Sequence, residues 1–592
     1  MKQFLLTMAG VVAGLTIFFI GLPVLFIVAA LSSSKPVPPA AVLELDLRRS
    51  LSDQDPQTPL AMFGRRTLSV MSIIEALRRA EGDPRVKGLL VRLPEGGMAP
   101  GEADELRLAI KHFRGSGKPV IAHSQGLYPS GAATSTYMLG ASSGQLWMQP
   151  GATLEAPGLA NEEMFFKRLF DRYGVKANYE QRYEYKNAVN PYLYDDYTPA
   201  HREAELSWMG SIYEAAVANA AADRHKSPAV LRQAIEAGPH PASEAQTLGL
   251  IDKIGQVKQA EDALLHTAGR GAKLQDFGDY LSSVRGLDGP AGGQQIAVVY
   301  AEGAIITGTG DTGSLFGSSQ NIYSDDVSKA IYDAIDDRDV KAIVFRVSSP
   351  GGADTASEQI LAAVRAAKAA GKPVVVSMGE YGASGGYWIS SEASAIVAEP
   401  STLTGSIGVY GGKLALGQTF AHFGVDLRQL TVGGADAGAY SLGSEFTPQQ
   451  RAAFAHSIDL VYDGFIQRVS TGRRLPQGRV REIAKGRVWT GAQARSLGLV
   501  DQLGGFYDAV EKAKALAGLK GEVRLKRMTS SMSPFGALGR AMGADASSAF
   551  HGLVSLGRLT SEPHVQGVLD QVGQAQLREQ GANLLAPLPS WR

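Results

Sequence analysis

After Lys2, residues 4–31 carry no charge and are almost continuously apolar. About 20 such residues suffice to cross the hydrocarbon core of a bilayer. A secretory signal would have an apolar stretch of only about 7–15 residues before a small-residue cleavage site. The exit Ala29-Ala30-Leu31-Ser32 offers no clean site of that kind. One uncleaved transmembrane helix is therefore expected over residues 4–31, with a long signal peptide as the rival reading. Charge does not set its orientation, since Lys2 lies on one side and Lys35, Arg48 and Arg49 on the other. Residues 32–39 (SSSKPVPP) then read as a short, stiff linker.

Beyond the linker the pattern changes to short apolar runs alternating with helical periodicity. Residues 296–300 (IAVVY), 341–347, 373–377 and 395–398 predict strands. Residues 325–336 predict an amphipathic helix, 355–370 a helix of good formers and 386–393 a short helix. Such alternation implies an α/β fold with parallel sheet and right-handed crossovers.

The same unit is written twice. Val86–Arg92 (VKGLLVR) matches Val340–Arg346 (VKAIVFR), and Gly117-Lys118-Pro119-Val120 recurs as Gly371-Lys372-Pro373-Val374, both at an offset of 254. Tyr137 pairs with Tyr387 and Pro150 with Pro400 at 250; Thr198-Pro199 pairs with Thr447-Pro448, and Leu248–Asp252 with Leu497–Asp501, at 249. Matches in one order with slowly drifting offset define a tandem duplication. The expected organisation is an anchor and linker over 1–39, a first repeat over 40–285, a linker over 286–295, a second repeat over 296–520 and a tail over 521–592.

Composition narrows the function classes. The chain of 592 residues balances 58 Lys+Arg against 58 Asp+Glu, which argues against a nucleic-acid binder held by phosphate contacts. It has no cysteine, so disulfides, thiolate metal sites and a Cys nucleophile are excluded. Ten scattered histidines without an H-E-x-x-H or comparable pair give no reason to expect a metal, and no cofactor is expected. Glycine, at 69 residues, exceeds its usual share of roughly 7%, and much of it falls in turns between apolar runs.

Two of those turns carry candidate chemistry. Ser348-Ser349-Pro350-Gly351-Gly352 follows a strand and precedes a helix, leaving backbone N–H groups where an oxyanion hole needs them; a plain glycine turn into a helix reads equally well. Gly382-Ala383-Ser384-Gly385-Gly386 fits the G-x-S-x-G elbow, which aims a serine hydroxyl and the next N–H at a carbonyl. The elbow calls for a strand running straight into it, whereas residues 378–381 are expected to intervene, and no His stands out as a base. An N-capping serine is the alternative.

The duplication bears on mechanism. Ser384 maps onto Thr134 in the first repeat. Lys186, 52 residues after Thr134, maps onto Asp436 in a Gly-rich stretch. One repeat keeps a lysine and the other a serine, as expected if they share one site across their interface. A lysine base must lose several units from its ordinary value near 10.4 through burial. Tyr179, Tyr183, Tyr185, Tyr192 and Tyr194 are expected to supply that desolvation, while Glu184, Asp195 and Asp196 oppose it unless they point away. A surface lysine on a Tyr-rich strand is the bland alternative.

Together, Ser349–Gly352, Tyr381–Tyr387 (YGASGGY), Thr404–Val409 (TGSIGV), Tyr185–Pro191 (YKNAVNP) and Val488–Asp501 resemble the signal peptide peptidase A family in its long bacterial form, protease IV. The resemblance spans roughly residues 41–518 plus the anchor. It implies a crotonase/caseinolytic-protease-like fold and a Ser-Lys endopeptidase. Ser384 is then the nucleophile, Lys186 the general base, and the N–H groups of Gly352 and Gly385 the oxyanion hole, with Ser406 orienting the lysine. Thr134 and Glu95 depart from the pattern, consistent with a dead half-site. The resemblance further implies apolar, signal-peptide-like substrates and a homotetramer. It also implies a single-pass protein of the bacterial inner membrane, with the body on the periplasmic side. A crotonase-type acyl-CoA enzyme and a catalytically silent membrane scaffold are the rival functions. Residues 308–313 match G-x-G-x-x-G but open no helix, so a loop is expected there rather than a dinucleotide site.

Overall fold

In a computed structural model, which describes residues 14, 36–55, 68–284, 293–310, 321–528 and 584–585, two parallel sheets repeat one strand order. The first runs Lys253–Ile254, Gln145–Met148, Val120–Ser124, Val86–Arg92, Ala41–Asp46, Lys273–Asp276. The second runs Gln502–Leu503, Ala395–Ala398, Val374–Ala383, Val340–Ser349, Gln295–Glu302, Arg524–Met528. Each strand sits where the duplication puts it. Buried tyrosines confirm the equivalence: Tyr137 donates to the Leu250 carbonyl at 3.1 Å and Tyr387 to the Leu499 carbonyl at 2.9 Å. Residues 4–31 lie outside the described residues save Gly14, as do most of 286–295 and most of the segment after 528. Among the described residues no helix is long and apolar enough to cross a membrane.

The central strands, Val86–Arg92, Val340–Ser349 and Val374–Ala383, are buried on both faces because helices cover both sides. Val70–Gly82 and Pro100–Gly115 pack together in the first repeat, and Ser324–Asp336 and Asp354–Ala369 do so in the second. Each repeat then carries a long helix, Pro199–Asp223 or Pro448–Arg473, started by Thr198 or Thr447 as N-cap with proline next in the chain.

A continuous core cluster runs from one repeat into the other, joining Leu43, Leu106 and Tyr280 to Val344, Val375 and Phe506, and smaller clusters such as Trp208 and Ile212 with Leu403 and Val488 also cross between them. Within this interface lies a buried ion network. The Arg346 guanidinium holds Asp53 at 2.6 Å and Glu105 at 2.8 Å. Glu380 accepts from the N–H groups of Gly101 (2.7 Å) and Glu102 (3.2 Å) at the start of helix Pro100–Gly115. Glu302 accepts from Asp53 N and Gln54 N, and burial beside Asp53 pushes its carboxyl up to about 8.

The strand before Ser384 corrects one expectation. Residues 378–381 do not interrupt it: Val374–Ala383 is one strand that enters the turn directly. Glu380 is polar there because it caps a helix of the other repeat.

Candidate active site

The serine is held by its backbone. Ser384 stands at φ 54°, ψ −115°, between strand Val374–Ala383 and helix Gly385–Ser390. A non-glycine residue in that region stores strain that surrounding structure must enforce. The Ser384 N–H donates to Gly405 O at 2.8 Å, tying the turn to strand Leu403–Gly405 beside it. The hydroxyl makes no capping bond to the helix, so the N-cap reading fails.

The lysine arrives on a ribbon from the other repeat. Strand Lys176–Arg182 pairs antiparallel with Val409–Ala415, from Val409 opposite Arg182 to Ala415 opposite Lys176. Tyr179 and Tyr192 stack at its foot, with ring centroids 5.9 Å apart. The ribbon's end brings Lys186 Nζ 2.8 Å from Ser384 Oγ, 2.9 Å from Ser406 Oγ and 3.1 Å from Ser406 O. Lys186, Ser384 and Ser406 are all fully buried, and burial alone drives the Lys186 amine well below the ordinary lysine range.

The tyrosines are not what buries it. Tyr183 and Tyr194 are exposed, and Tyr185 lies against the Arg487 guanidinium. Glu184 turns outward to Lys485 at 2.9 Å. The lid over the lysine is the turn of residues 485–487. Gly486 has φ 82°, and a Cβ there would stand 2.5 Å from Lys186 Cβ. The same turn accepts the Ser406 N–H on Arg487 O at 2.7 Å and the Tyr185 N–H on Lys485 O at 3.2 Å. Sequence reasoning missed Gly486; the signal was a glycine with a basic residue on each side in an otherwise ordinary loop. Gly486→Ala is expected to push the amine off its seat and lower kcat about 10²-fold, the cost of misplacing a reacting group by about 1 Å. Steady-state kinetics check this, and an unchanged kcat would contradict it.

Gly352 and Gly385 also meet. A Cβ on Gly385 would lie 2.9 Å from Gly352 N and 2.9 Å from Ser357 Oγ, and one on Gly352 would strike Ile305 O at 2.0 Å. Only glycine permits that approach. Ser349 braces the loop, donating to Gly303 O at 2.7 Å and accepting from Gly351 N at 3.2 Å. Strand Gly351–Gly352 pairs on its open edge, antiparallel, with Leu584–Leu585 from the tail. No chemistry is legible in that tail from sequence, because two apolar residues in a low-periodicity stretch give no local sign of their partner.

The corresponding place in the first repeat is filled by its own groups. Thr134 Oγ1 donates to Ala156 O at 3.1 Å. Met98 stands where Gly352 does, and its N–H is taken by Thr136 Oγ1 at 3.0 Å. Glu95 replaces Ser349. Asp436, the counterpart of Lys186, is exposed. Of residues 308–313, the first three, Gly308 to Gly310, are described; 311–313 lie outside the described residues.

A strained serine at a strand–helix turn of an α/β protein, with paired glycines beside it, is the arrangement of the nucleophile elbow in serine hydrolases. The family model for peptidase family S49 matches residues 112–269 and 366–520. Protease 4 of Salmonella typhi is 35% identical over 462 residues, 76% of this chain and 72% of that protein. Protease 4 of Haemophilus influenzae is 32% identical over 471 residues, 76% of this chain and 73% of that protein. The chloroplastic serine protease SPPA of Arabidopsis thaliana is 28% identical over 487 residues, 81% of this chain and 69% of that protein. The chain belongs to peptidase family S49 and is a serine peptidase.

Proposed function

We propose that Ser384 and Lys186 form the catalytic dyad of a membrane-anchored endopeptidase acting on apolar peptides, cleaved signal peptides among them. The observation that carries this is the 2.8 Å approach of Lys186 Nζ to Ser384 Oγ in full burial. A neutral amine has two N–H donors and one lone pair. Ser406 O and Ser406 Oγ take the donors, which leaves the lone pair to accept the Ser384 O–H; Ser406 thereby orients the base.

Ser384 Oγ attacks the scissile carbonyl carbon as its proton passes to Lys186 Nζ. The carbonyl π pair moves to oxygen, and the oxyanion is met by the N–H groups of Gly352 and Gly385. Collapse expels the amine, which takes the proton from Lys186 and leaves an acyl-Ser384 ester. Water then gives its proton to Lys186, attacks the ester, and releases the acid as the proton returns to Ser384. The pairing of Leu584–Leu585 along Gly351–Gly352 supports an extended peptide as occupant of that edge.

The organisation that goes with this reading is an anchor over residues 4–31 within 1–39, repeats over 40–285 and 296–520 joined by 286–295, and a tail over 521–592. The body faces the periplasm from the bacterial inner membrane, and chains assemble head-to-tail as a homotetramer. A fluorophosphonate probe tests the chemistry: wild type is expected to label stoichiometrically, and Ser384→Ala not at all. Labelling that survives in Ser384→Ala, or a folded wild type that does not label, overturns it and leaves the acyl-CoA or scaffold functions.

A further inference from the structure

The first strand of the ribbon that delivers Lys186 has a counterpart in the second repeat that pairs with no strand among the described residues. Helix Lys167–Tyr173 ends on Gly174 at φ 74°, with Val175 N donating to Phe170 O at 2.9 Å, and the chain continues as the paired strand Lys176–Arg182. The same structure recurs 250 residues later in the chain. Helix Gly417–His422 leads to Gly424 at φ 73°, with Val425 N donating to Phe420 O at 3.0 Å.

Past Gly424 the two repeats diverge. Among the described residues, 425–432 (VDLRQLTV) has no strand partner, yet half of it is apolar and laid open: Leu430 is 99% and Val432 98% exposed. Open backbone with exposed apolar side chains is an invitation to another strand. The first repeat holds the complementary vacancy. Its counterpart of Val409–Ala415 is residues 159–165, also outside any strand, with Met164 half exposed.

We infer that residues 425–432 of one protomer pair antiparallel with residues 159–165 of the next, repeating between chains the ribbon made within each chain. The inference rests on the head-to-tail assembly proposed above and names the surface that makes it. Carrying the in-chain register across by 250 places Val432 opposite Leu159, Arg428 opposite Glu163 and Leu427 opposite Met164. Two of these pairs are apolar and one is opposite in charge, the combinations that favour cross-strand contact. The Glu163 carboxyl is pushed up to about 7 by burial and by Glu205. Its neighbour at 3.3 Å is the His201 ring, which burial holds uncharged at neutral pH. A permanent cation from the next chain suits that place. At Glu162, where the in-chain ribbon has Gly412 at φ 151°, the intermolecular strand runs regular. The interface is heterologous, and such contacts build a ring where the rotation between neighbours closes. Its far end delivers Asp436 toward the spent Thr134 place, so it adds no second active site.

The chain's lack of cysteine makes the test clean. In the full-length protein in detergent, Met164→Cys with Leu427→Cys places two thiols directly across the strands, within the 4.4–6.8 Å Cα separation that a disulfide spans. Oxidation is expected to give a ladder on non-reducing gels ending at the closed ring, while Glu162→Cys with Leu427→Cys gives none. Separately, Leu430→Asp with Val432→Asp is expected to convert the oligomer to monomers by light scattering while Ser384 still labels. If the first pair stays monomeric on gels, or the double aspartate stays assembled, while wild type is oligomeric, the surface is wrong and the ring stands. A monomeric wild type removes both, and probe labelling of Ser384 reports on the peptidase chemistry independently.

Discussion

Replacing Lys186 with Met is expected to lower kcat/KM on a peptide substrate by about 10⁴-fold, the scale on which removal of a base beside a nucleophilic serine acts. The same change is expected to raise stability at neutral pH. Burial with no compensating carboxylate is what lowers the Lys186 amine, so its charged form is disfavoured in the folded state. The unfolded lysine titrates near 10.4. Between the folded and unfolded values the unfolded chain therefore binds more protons, and wild-type stability rises as pH rises through that window. Met fills a similar volume and has nothing to titrate, so the contribution of this position to that slope disappears. Activity moves in the related sense: as pH falls through the folded value the amine gains a proton and can no longer accept one from Ser384. An acid limb is expected in the kcat/KM profile at a pH well below the ordinary lysine range. A variant that keeps its activity, or that is less stable than wild type at pH 7, would count against a neutral buried base.

The second large effect is structural and lies away from the reacting atoms. Arg346→Met is expected to cost about 3–5 kcal/mol, because it strands two buried carboxylates rather than one exposed pair. Asp53 and Glu105 have side chains 5% and 4% exposed and lie on the opposite repeat from the arginine. Breaking the surface pair of Arg479 and Glu482, whose side chains are 47% and 65% exposed, should cost about 0–1 kcal/mol by comparison. Arg346→Lys is not expected to rescue fully, since one ammonium cannot reproduce the planar fork that holds both carboxylates. Urea unfolding at pH 7 measures both variants. A loss below about 1 kcal/mol for Arg346→Met would show that the network is not what locks the repeats together.

Sequence makes legible whatever the chain writes locally or writes twice. Apolar runs such as 296–300 mark the strands because both sheet faces are covered, and the fixed offset makes the second sheet a copy of the first. Comparing the repeats singles out Ser384 and Lys186, because each is a position where one copy departs from the other. Elements whose residues answer to distant partners stay hidden. Glu380 looks like a break before Ser384 because its carboxylate serves a helix that starts about 280 residues earlier in the chain. The tyrosines near Lys186 suggest an aromatic shroud, yet a glycine and two main-chain carbonyls from the other repeat close the space. Backbone that owes its place to another repeat has no local periodicity to betray it.

The division of labour between the halves has a consequence for biogenesis. The ribosome finishes the half that carries Lys186 well before the half that carries Ser384, so the proposed dyad exists in neither alone. On that proposal a partly made chain has no means of cutting its neighbours, whatever its state of folding. Competence appears only once the later half has docked on the earlier, so the order of translation itself acts as a safety catch.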